Sequence, residues 1–310
     1  MMSLYKSRKI KSSIVKLLRK KDSEVESIPL ESVKEQDEGE RLWKKYDQLA
    51  RLQGYKELNF CISFDCDTVE DILASQEIDA WLERRGIART YAVPGVLLEK
   101  GAKVYRQIAE QGAEFINHGF APHATWNGKK YISSTFYHEM NPQNIKKDII
   151  KGHQSVCNVI EKAPIGFRTP HFGLFQTEEQ RTLIYQTLNE LGGYHYSSST
   201  SPAFAFQQGV YKQYGSLFEI PVSGSYASPE SGLDSWSYIL SSYYPKISQQ
   251  YTDLFIETVN NLKEINVAGI LNLYVDPSHV INTDAFFHAI AYVLECDLPT
   301  LTLGKIVNNI

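Results

Sequence analysis

The chain has 310 residues, enough for one large domain or two small ones, and its 43% hydrophobic and 22% charged residues suit an ordinary buried core. A formal net charge of −4 gives no argument for nucleic acid as a partner, and four cysteines (61, 66, 157, 296) without a CxxC pair speak against a zinc ribbon and a disulfide framework. No apolar run reaches membrane-spanning length, and the basic start is not followed by the apolar core and cleavage site of a signal peptide, so the expected location is the cytoplasm.

Residues 5–21 carry Lys6, Arg8, Lys9, Lys11, Lys16, Arg19, Lys20 and Lys21 and no acid, and residues 22–40 then turn acidic. The basic segment has two readings: peripheral contact with an anionic membrane surface, or a solvated, partly helical arm packed on the domain, which is favoured. Residues 40–53, with Leu42, Trp43, Tyr46, Leu49 and Leu52, have helical periodicity and are expected to dock on the domain C-terminal to them. From residue 58 onward apolar strand-like runs alternate with amphipathic helices. The strand candidates are 58–64, 89–94, 113–117, 164–168, 194–198, 217–222 and 268–275. The helix candidates are 70–85, 99–111, 141–162, 177–192, 248–265 and 283–295, with Asn141-Pro142 supplying a cap and a first-turn proline. This alternation predicts a parallel α/β sheet or barrel, and the composition divides the chain into an extension (1–56) and a barrel domain (57–310). Two long stretches break the rhythm, 120–140 and 223–246. Segments of that length inside a domain are usually functional, and Tyr131, Tyr137, Tyr226 and Tyr238 within them could stack on sugar faces or pack on the barrel.

Several strand ends carry chemistry. The run 58–64 leads into Asp65-Cys66-Asp67; strand alternation points the two carboxylates one way and Cys66 the other. Two adjacent acids repel unless a metal or an arginine joins them. The run 113–117 ends in His118, with His123 beyond a Gly/Pro-containing turn; two imidazoles and a carboxylate are a normal ligand set for zinc or a similar divalent cation. His138 is a spare candidate. Arg168, before a rigid Thr169-Pro170 turn, can lean across and hold a carboxylate. Asp234 and Trp236 lie in the second irregular stretch, and the last strand runs into Asp276-Pro277-Ser278-His279.

In that order (Phe-Asp-x-Asp, Asn-His with a second His, Arg-x-Pro-aromatic, Asp-x-Trp, a final Leu-x-Leu strand reaching a proline, then Leu301-Thr302-Leu303-Gly304-Lys305-Ile306) the chain resembles the polysaccharide deacetylases, the NodB-homology domains of carbohydrate esterase family four, over about residues 57–310. The resemblance implies a deformed (β/α)7-type barrel with an N-terminal helical and basic extension. It implies a metal-dependent hydrolase that removes N-acetyl or O-acetyl groups from a carbohydrate. Asp65 would be the general base, held by Arg168. Asp67, His118 and His123 would be the metal ligands, for zinc before cobalt, nickel or manganese. The backbone of His171 would assist the oxyanion, Asp234 would orient a general acid and Trp236 would line the acetyl pocket. Two positions depart from the family pattern. His118 and His123 are five residues apart where the family has four, with His138 as a substitute ligand. Asp276 stands where the family has its general-acid histidine, leaving that role to His279 or to Asp276 itself. With no export signal, the expected substrate is an intracellular surface-polysaccharide precursor, lipid- or nucleotide-linked. The alternatives are hydrolysis of another non-peptide C–N bond on the same fold, or a degenerate site that only binds a glycan.

Overall fold

A strand buried on both faces reads as an uninterrupted apolar run, and Leu58–Asp65 (β1) is placed that way: every residue but Asn59 is buried. In the computed structural model, which describes residues 30–308 and 310, this strand sits inside an eight-stranded sheet. The strands, in chain order, are β1, β2 (Arg89–Val93), β3 (Glu114–Asn117), β4 (Ala124–Trp126), β5 (Tyr131–Ser133), β6 (Gly166–Phe167), β7 (Tyr196–Ser197), β8 (Lys212–Tyr214), β9 (Leu217–Glu219), β10 (Ile239–Ser241), β11 (Tyr244–Ile247) and β12 (Gly269–Val275). The large sheet has the order β12-β1-β2-β3-β6-β7-β9-β8, with only the β8–β9 pair antiparallel. It curls into the deformed barrel expected from the motifs. The segment after β9 joins it to β12 from the other side: the Ser223 N–H donates to the Asn272 carbonyl (2.7 Å) and Asn272 Nδ2 donates to the Pro221 carbonyl (2.9 Å).

All seven apolar runs form strands of this sheet. β8 escapes such a reading because it is three largely polar, mostly exposed residues at an edge. The two rhythm-breaking stretches each fold into a small hairpin, β4–β5 and β10–β11. The expected helices form as Glu70–Glu83, Ala102–Glu110 (preceded by Gly95–Lys100), Pro142–Ile160, Glu178–Leu191, Gln249–Glu264 and Asp284–Glu295. Asn141 Oδ1 caps the third of these, accepting the Asn144 N–H at 2.9 Å. Shorter helices Pro202–Gln208, Pro277–Val280 and Leu303–Asn308 are too brief for periodicity to reveal.

β1 separates the outer core from the barrel interior. Phe60 and Phe64 pack edge-on against Phe255 and Phe286 of the coating helices, and Phe64 stacks on Tyr91 of β2 (5.0 Å between ring centres). Ser63 and Asp65, on the opposite face, reach the guanidinium of Arg168. The helix Leu30–Leu52 contributes Trp43, Tyr46 and Ala50 to the barrel core. Tyr46 Oη donates to the Ile270 carbonyl (3.0 Å) and accepts the Ile270 N–H (2.9 Å). That docking requires glycine at 269, where φ is +126° and a Cβ would lie 2.6 Å from the Tyr46 ring. The basic segment 5–21 lies outside the described residues. No helix among the described residues is long and apolar enough to cross a membrane.

Candidate active site

Parallel strands deliver their C-terminal ends to one rim, where α/β barrels place their chemistry. Here that rim gathers Asp65 and Asp67 after β1, His118 and His123 after β3, Arg168 after β6 and Asp276 after β12. Asp65, Asp67, His118, Tyr274 and Asp276 share the wall of one cavity of about 320 Å³, which His171 and Trp236 also line.

Arg168 is wholly buried. Its Nη1 donates to Asp65 Oδ1 (2.7 Å) and Ser63 Oγ (2.8 Å), its Nε to the Ser198 carbonyl (3.0 Å) and its Nη2 to Ser198 Oγ (3.2 Å). Four bonds fix the guanidinium, and the guanidinium fixes the carboxylate. Burial pushes the Asp65 carboxyl up to about 6, with Arg168 working against that shift and Asp67 adding to it. Asp65 is therefore ionised at neutral pH.

Asp67 Oδ1 lies 3.0 Å from His123 Nδ1 and 3.8 Å from His118 Nε2. The ligand atoms of Asp67, His118 and His123 all fall within 4.8 Å of one another. Two ligands each about 2.0–2.2 Å from one cation are at most about 4.4 Å apart, so both measured separations fit a shared metal. The tautomer fits too. His118 Nδ1 is 2.8 Å from the Arg168 carbonyl, so Nδ1 carries the proton and the Nε2 lone pair faces the acids. Burial holds the His118 pKa well below its ordinary value, which keeps the ring neutral and able to ligate. On Asp67 burial works upward, but the imidazole of His123, within hydrogen-bond reach, prevails and holds its carboxyl below the usual range. His123 Nε2 is fully buried with no hydrogen-bond partner. The exposed His138 pairs with Glu139 (3.7 Å) and is not in the cluster.

The five-residue spacing between the histidines is accommodated by the turn and by the choice of nitrogen. His123 faces Asp67 through Nδ1, the ring nitrogen nearer its backbone. The turn is held by Asp148, on the inner face of the helix Pro142–Ile160: Oδ2 accepts the Phe120 N–H (3.1 Å) and the Tyr137 hydroxyl (2.7 Å), and Oδ1 accepts the Ala121 N–H (2.9 Å). Gly119 adopts φ +73°, and a Cβ there would collide with Asp148 Oδ2. Sequence reasoning misses Asp148, although an acid between Ile145 and Ile149 on a buried stripe is a legible signal. Asp71 is a second missed carboxylate. It is fully buried, accepts the Thr68 N–H (2.7 Å) and hydroxyl (2.6 Å), and also accepts the Ser278 N–H (2.7 Å). It thereby ties the loop bearing Asp67 to the loop bearing Asp276.

At the last strand the structure separates the two acid candidates. Asp276 lines the cavity that Asp65, Asp67 and His118 share; His279 lines the neighbouring one, behind Trp236, whose ring meets it edge-on at 4.5 Å. His279 Nδ1 lies 3.1 Å from Ser235 Oγ and 3.9 Å from Asp276 Oδ2. Burial lowers His279 to about 4. Burial also pushes Asp276 well above the ordinary carboxyl value, and the carboxylates of Asp67, Asp71, Asp65 and Asp234 push the same way. Asp234 accepts the Ser237 N–H (2.9 Å) and the Tyr274 hydroxyl (3.3 Å) rather than a histidine. His171 has a left-handed backbone (φ +47°), and its Nε2 sits 2.9 Å from the Ser134 carbonyl and 3.2 Å from that of His123. Cys66, between the acids, points to Ser75 (3.5 Å) on the buried side. Of the loop tyrosines, Tyr137 and Tyr226 are buried, while Tyr131 lines the second cavity.

No family model matches the chain, and no curated protein matches it significantly. Solved structures do. A Mycobacterium smegmatis protein assigned as a polysaccharide deacetylase superposes with a TM-score of 0.62 at 17% identity, over 82% of this chain and 90% of that one. A Pseudomonas aeruginosa PAO1 protein with the same assignment superposes with a TM-score of 0.57 at 12% identity, over 81% and 89%. At these identities what is shared is the fold, and with it the resemblance carried by the motifs is met in three dimensions: the chain has the polysaccharide deacetylase fold.

Proposed function

We propose that this protein is a metal-dependent hydrolase that removes acetyl groups from a carbohydrate. The observation that carries the proposal is the juxtaposition of the Asp67–His118–His123 ligand set with a second carboxylate, Asp65, clamped by a buried arginine, with Asp65, Asp67 and His118 lining one cavity. Zinc suits two imidazoles and one carboxylate, and cobalt, nickel and manganese accept the same donors. Bound there, a divalent cation polarises an acetyl carbonyl and acidifies water.

The chain's own residues do the rest. Asp65, ionised and fixed by Arg168, takes the proton of the attacking water. Asp276, whose carboxyl is pushed well above its ordinary value by burial and by the surrounding carboxylates, gives a proton to the leaving nitrogen or oxygen. Two acids whose surroundings push their proton affinities apart in one pocket are the pattern for a base and an acid working in sequence. His171 and Trp236 line the cavity; the His171 backbone N–H would meet charge developing on the carbonyl oxygen, and Trp236 would enclose the acetyl methyl.

Acetate release from acetylated mono- and oligosaccharides, before and after treatment with a chelator, tests the proposal. The expected result is turnover that chelation abolishes and that zinc or cobalt restores. Turnover indifferent to chelation would refute the mechanism, and hydrolysis of a cyclic amide in preference to any acetylated sugar would move the reaction to another C–N bond.

A further inference from the structure

Most of the large apolar side chains that stay exposed among the described residues lie around the mouth of the catalytic cavity and on the two hairpins beside it. Leu174 and Trp236 line that cavity itself. Trp126 of β4 and Tyr243 of the β10–β11 turn line a neighbouring cavity of about 470 Å³ that shares the Trp236 wall. Leu240 and Tyr244 stand on the β10–β11 strands. Single exposed apolar residues are ordinary on a protein surface, whereas a group of them left open together marks a surface that meets something else.

The two hairpins, far apart in the chain, form one surface. Lys130 Nζ lies 3.4 Å from Ser242 Oγ and 5.1 Å from the centre of the Tyr243 ring, and Tyr131 packs edge-on against Trp126 (5.2 Å). Open leucines accompany the open rings: Leu240 is 60% exposed and Leu174 59%, beside 58% for Trp126 and 73% for Tyr243. A sugar is covered by a ring face and gains little from an uncovered leucine, whereas a lipid surface takes both. The charge on the hairpins has one sign. They hold Lys129, Lys130 and Lys246 and no acid, in a chain whose formal net charge is −4. Lys246 Nζ is engaged by the Ser278 and Ile281 carbonyls (2.6 and 3.0 Å), which leaves Lys129 and Lys130 at the β4–β5 turn. The acids that line the neighbouring cavity, Glu70 and Glu77, come from the helix Glu70–Glu83, and Glu70 accepts the Tyr131 hydroxyl (2.5 Å).

We propose that this hairpin rim docks on an anionic lipid surface, with the Trp126, Tyr243 and Tyr244 rings in the headgroup layer, Leu174 and Leu240 against the acyl chains, and Lys129 and Lys130 turned to the lipid phosphates. Indole and phenol rings favour the membrane–water interface. A lysine lays its stem on apolar surface while its ammonium reaches the phosphates, and anionic lipids attract it. Interfacial binding sums the apolar area withdrawn from water and this attraction, and the hairpins supply both. The basic segment 5–21 brings further charge of the same sign. Docked in this way, the catalytic mouth opens onto the headgroup layer. The docking requires no substrate, so it stands or falls apart from the deacetylase reading.

The test floats the full chain with vesicles of phosphatidylcholine alone and of phosphatidylcholine with an equal part of phosphatidylglycerol, the acyl chains carrying bromine to quench tryptophan emission. The expected result is flotation with the phosphatidylglycerol vesicles, weakened by salt, with tryptophan emission shifted to the blue and quenched. Leu240→Ser and Trp126→Ala should each weaken partitioning about tenfold, one large apolar side chain being withdrawn from the lipid, and Trp126→Ala should lose most of the quenching. Both side chains are exposed, and circular dichroism with an unchanged urea midpoint certifies each fold. Failure to float with either vesicle would overturn the proposal. Flotation without quenching, or unchanged in both variants, would also overturn it and assign the adsorption to the basic segment 5–21. Self-association that Leu240→Ser abolishes, with vesicles ignored, would overturn it in favour of a second copy of the chain as the partner.

Discussion

Replacing Arg168 with methionine should expose how strongly the barrel interior depends on one ion pair. The substitution leaves Asp65 buried without its cation and removes donors from Ser63 Oγ and from the Ser198 carbonyl and hydroxyl. Breaking a buried pair from one side typically costs about 3–5 kcal/mol, and that loss is expected in urea denaturation at pH 8 with chelator present. The cost should depend on pH with a definite sign. Asp65 already sits at about 6, above its unfolded value near 3.8. Without the guanidinium its folded pKa rises further, each unit being worth about 1.4 kcal/mol. The folded variant then binds the proton more tightly than the unfolded chain, so its stability falls as pH rises through the interval between the two values. At pH 5 the carboxyl is protonated and the loss should shrink to that of the remaining hydrogen bonds, about 1 kcal/mol each. Adding Asp65→Asn to Arg168→Met should recover about 2 kcal/mol or more at pH 8 and little at pH 5. A loss under about 1 kcal/mol at pH 8, or an equal loss at both pH values with no rescue by Asp65→Asn, would refute the ion-pair argument.

The same geometry has other measurable consequences. Asp276→Asn should lower kcat by about 10²–10⁴ and erase the alkaline limb of the pH–rate profile, while the acid limb, set by ionisation of Asp65, stays in place; His279→Ala, one cavity away, should keep both limbs. Asp148→Asn weakens its grip on the Phe120 and Ala121 N–H groups and should reduce metal affinity about 10–100-fold without touching a ligand, as isothermal titration would show. Trp43→Ala should destabilise the protein by about 3–5 kcal/mol in thermal or urea unfolding, because the indole is buried and its Nε1 donates to the Ser225 carbonyl (3.4 Å); a loss below about 1 kcal/mol would mean that residues 38–52 are not part of the folded barrel.

The strands that build the barrel are legible in the sequence because residues covered on both faces are mostly apolar, and β1 and β12 announce themselves that way. Their C-terminal residues are legible as chemistry through the order of the motifs rather than through any single acid, since an acid can also end a strand structurally, as Glu219 ends β9. What periodicity cannot carry is distance across the chain. Asp148 and Asp71 each hold loops far from themselves in sequence, and only the fold shows that Asp71 joins Thr68 to Ser278. The choice between Asp276 and His279 is likewise invisible in the sequence, since it depends on which side of Trp236 each side chain falls. The hairpins hide for another reason: strands of three or four residues with mostly uncovered side chains have too little buried face to impose alternation.

The central claim is that Asp67, His118 and His123 hold one cation. Titration of the chelator-treated protein with zinc or cobalt, read by calorimetry and by the cobalt absorption spectrum, tests it most directly. One equivalent should bind, with affinity lost in His123→Ala and Asp67→Asn and kept in His138→Ala. Binding that is absent, or that survives both of those substitutions, would contradict the account.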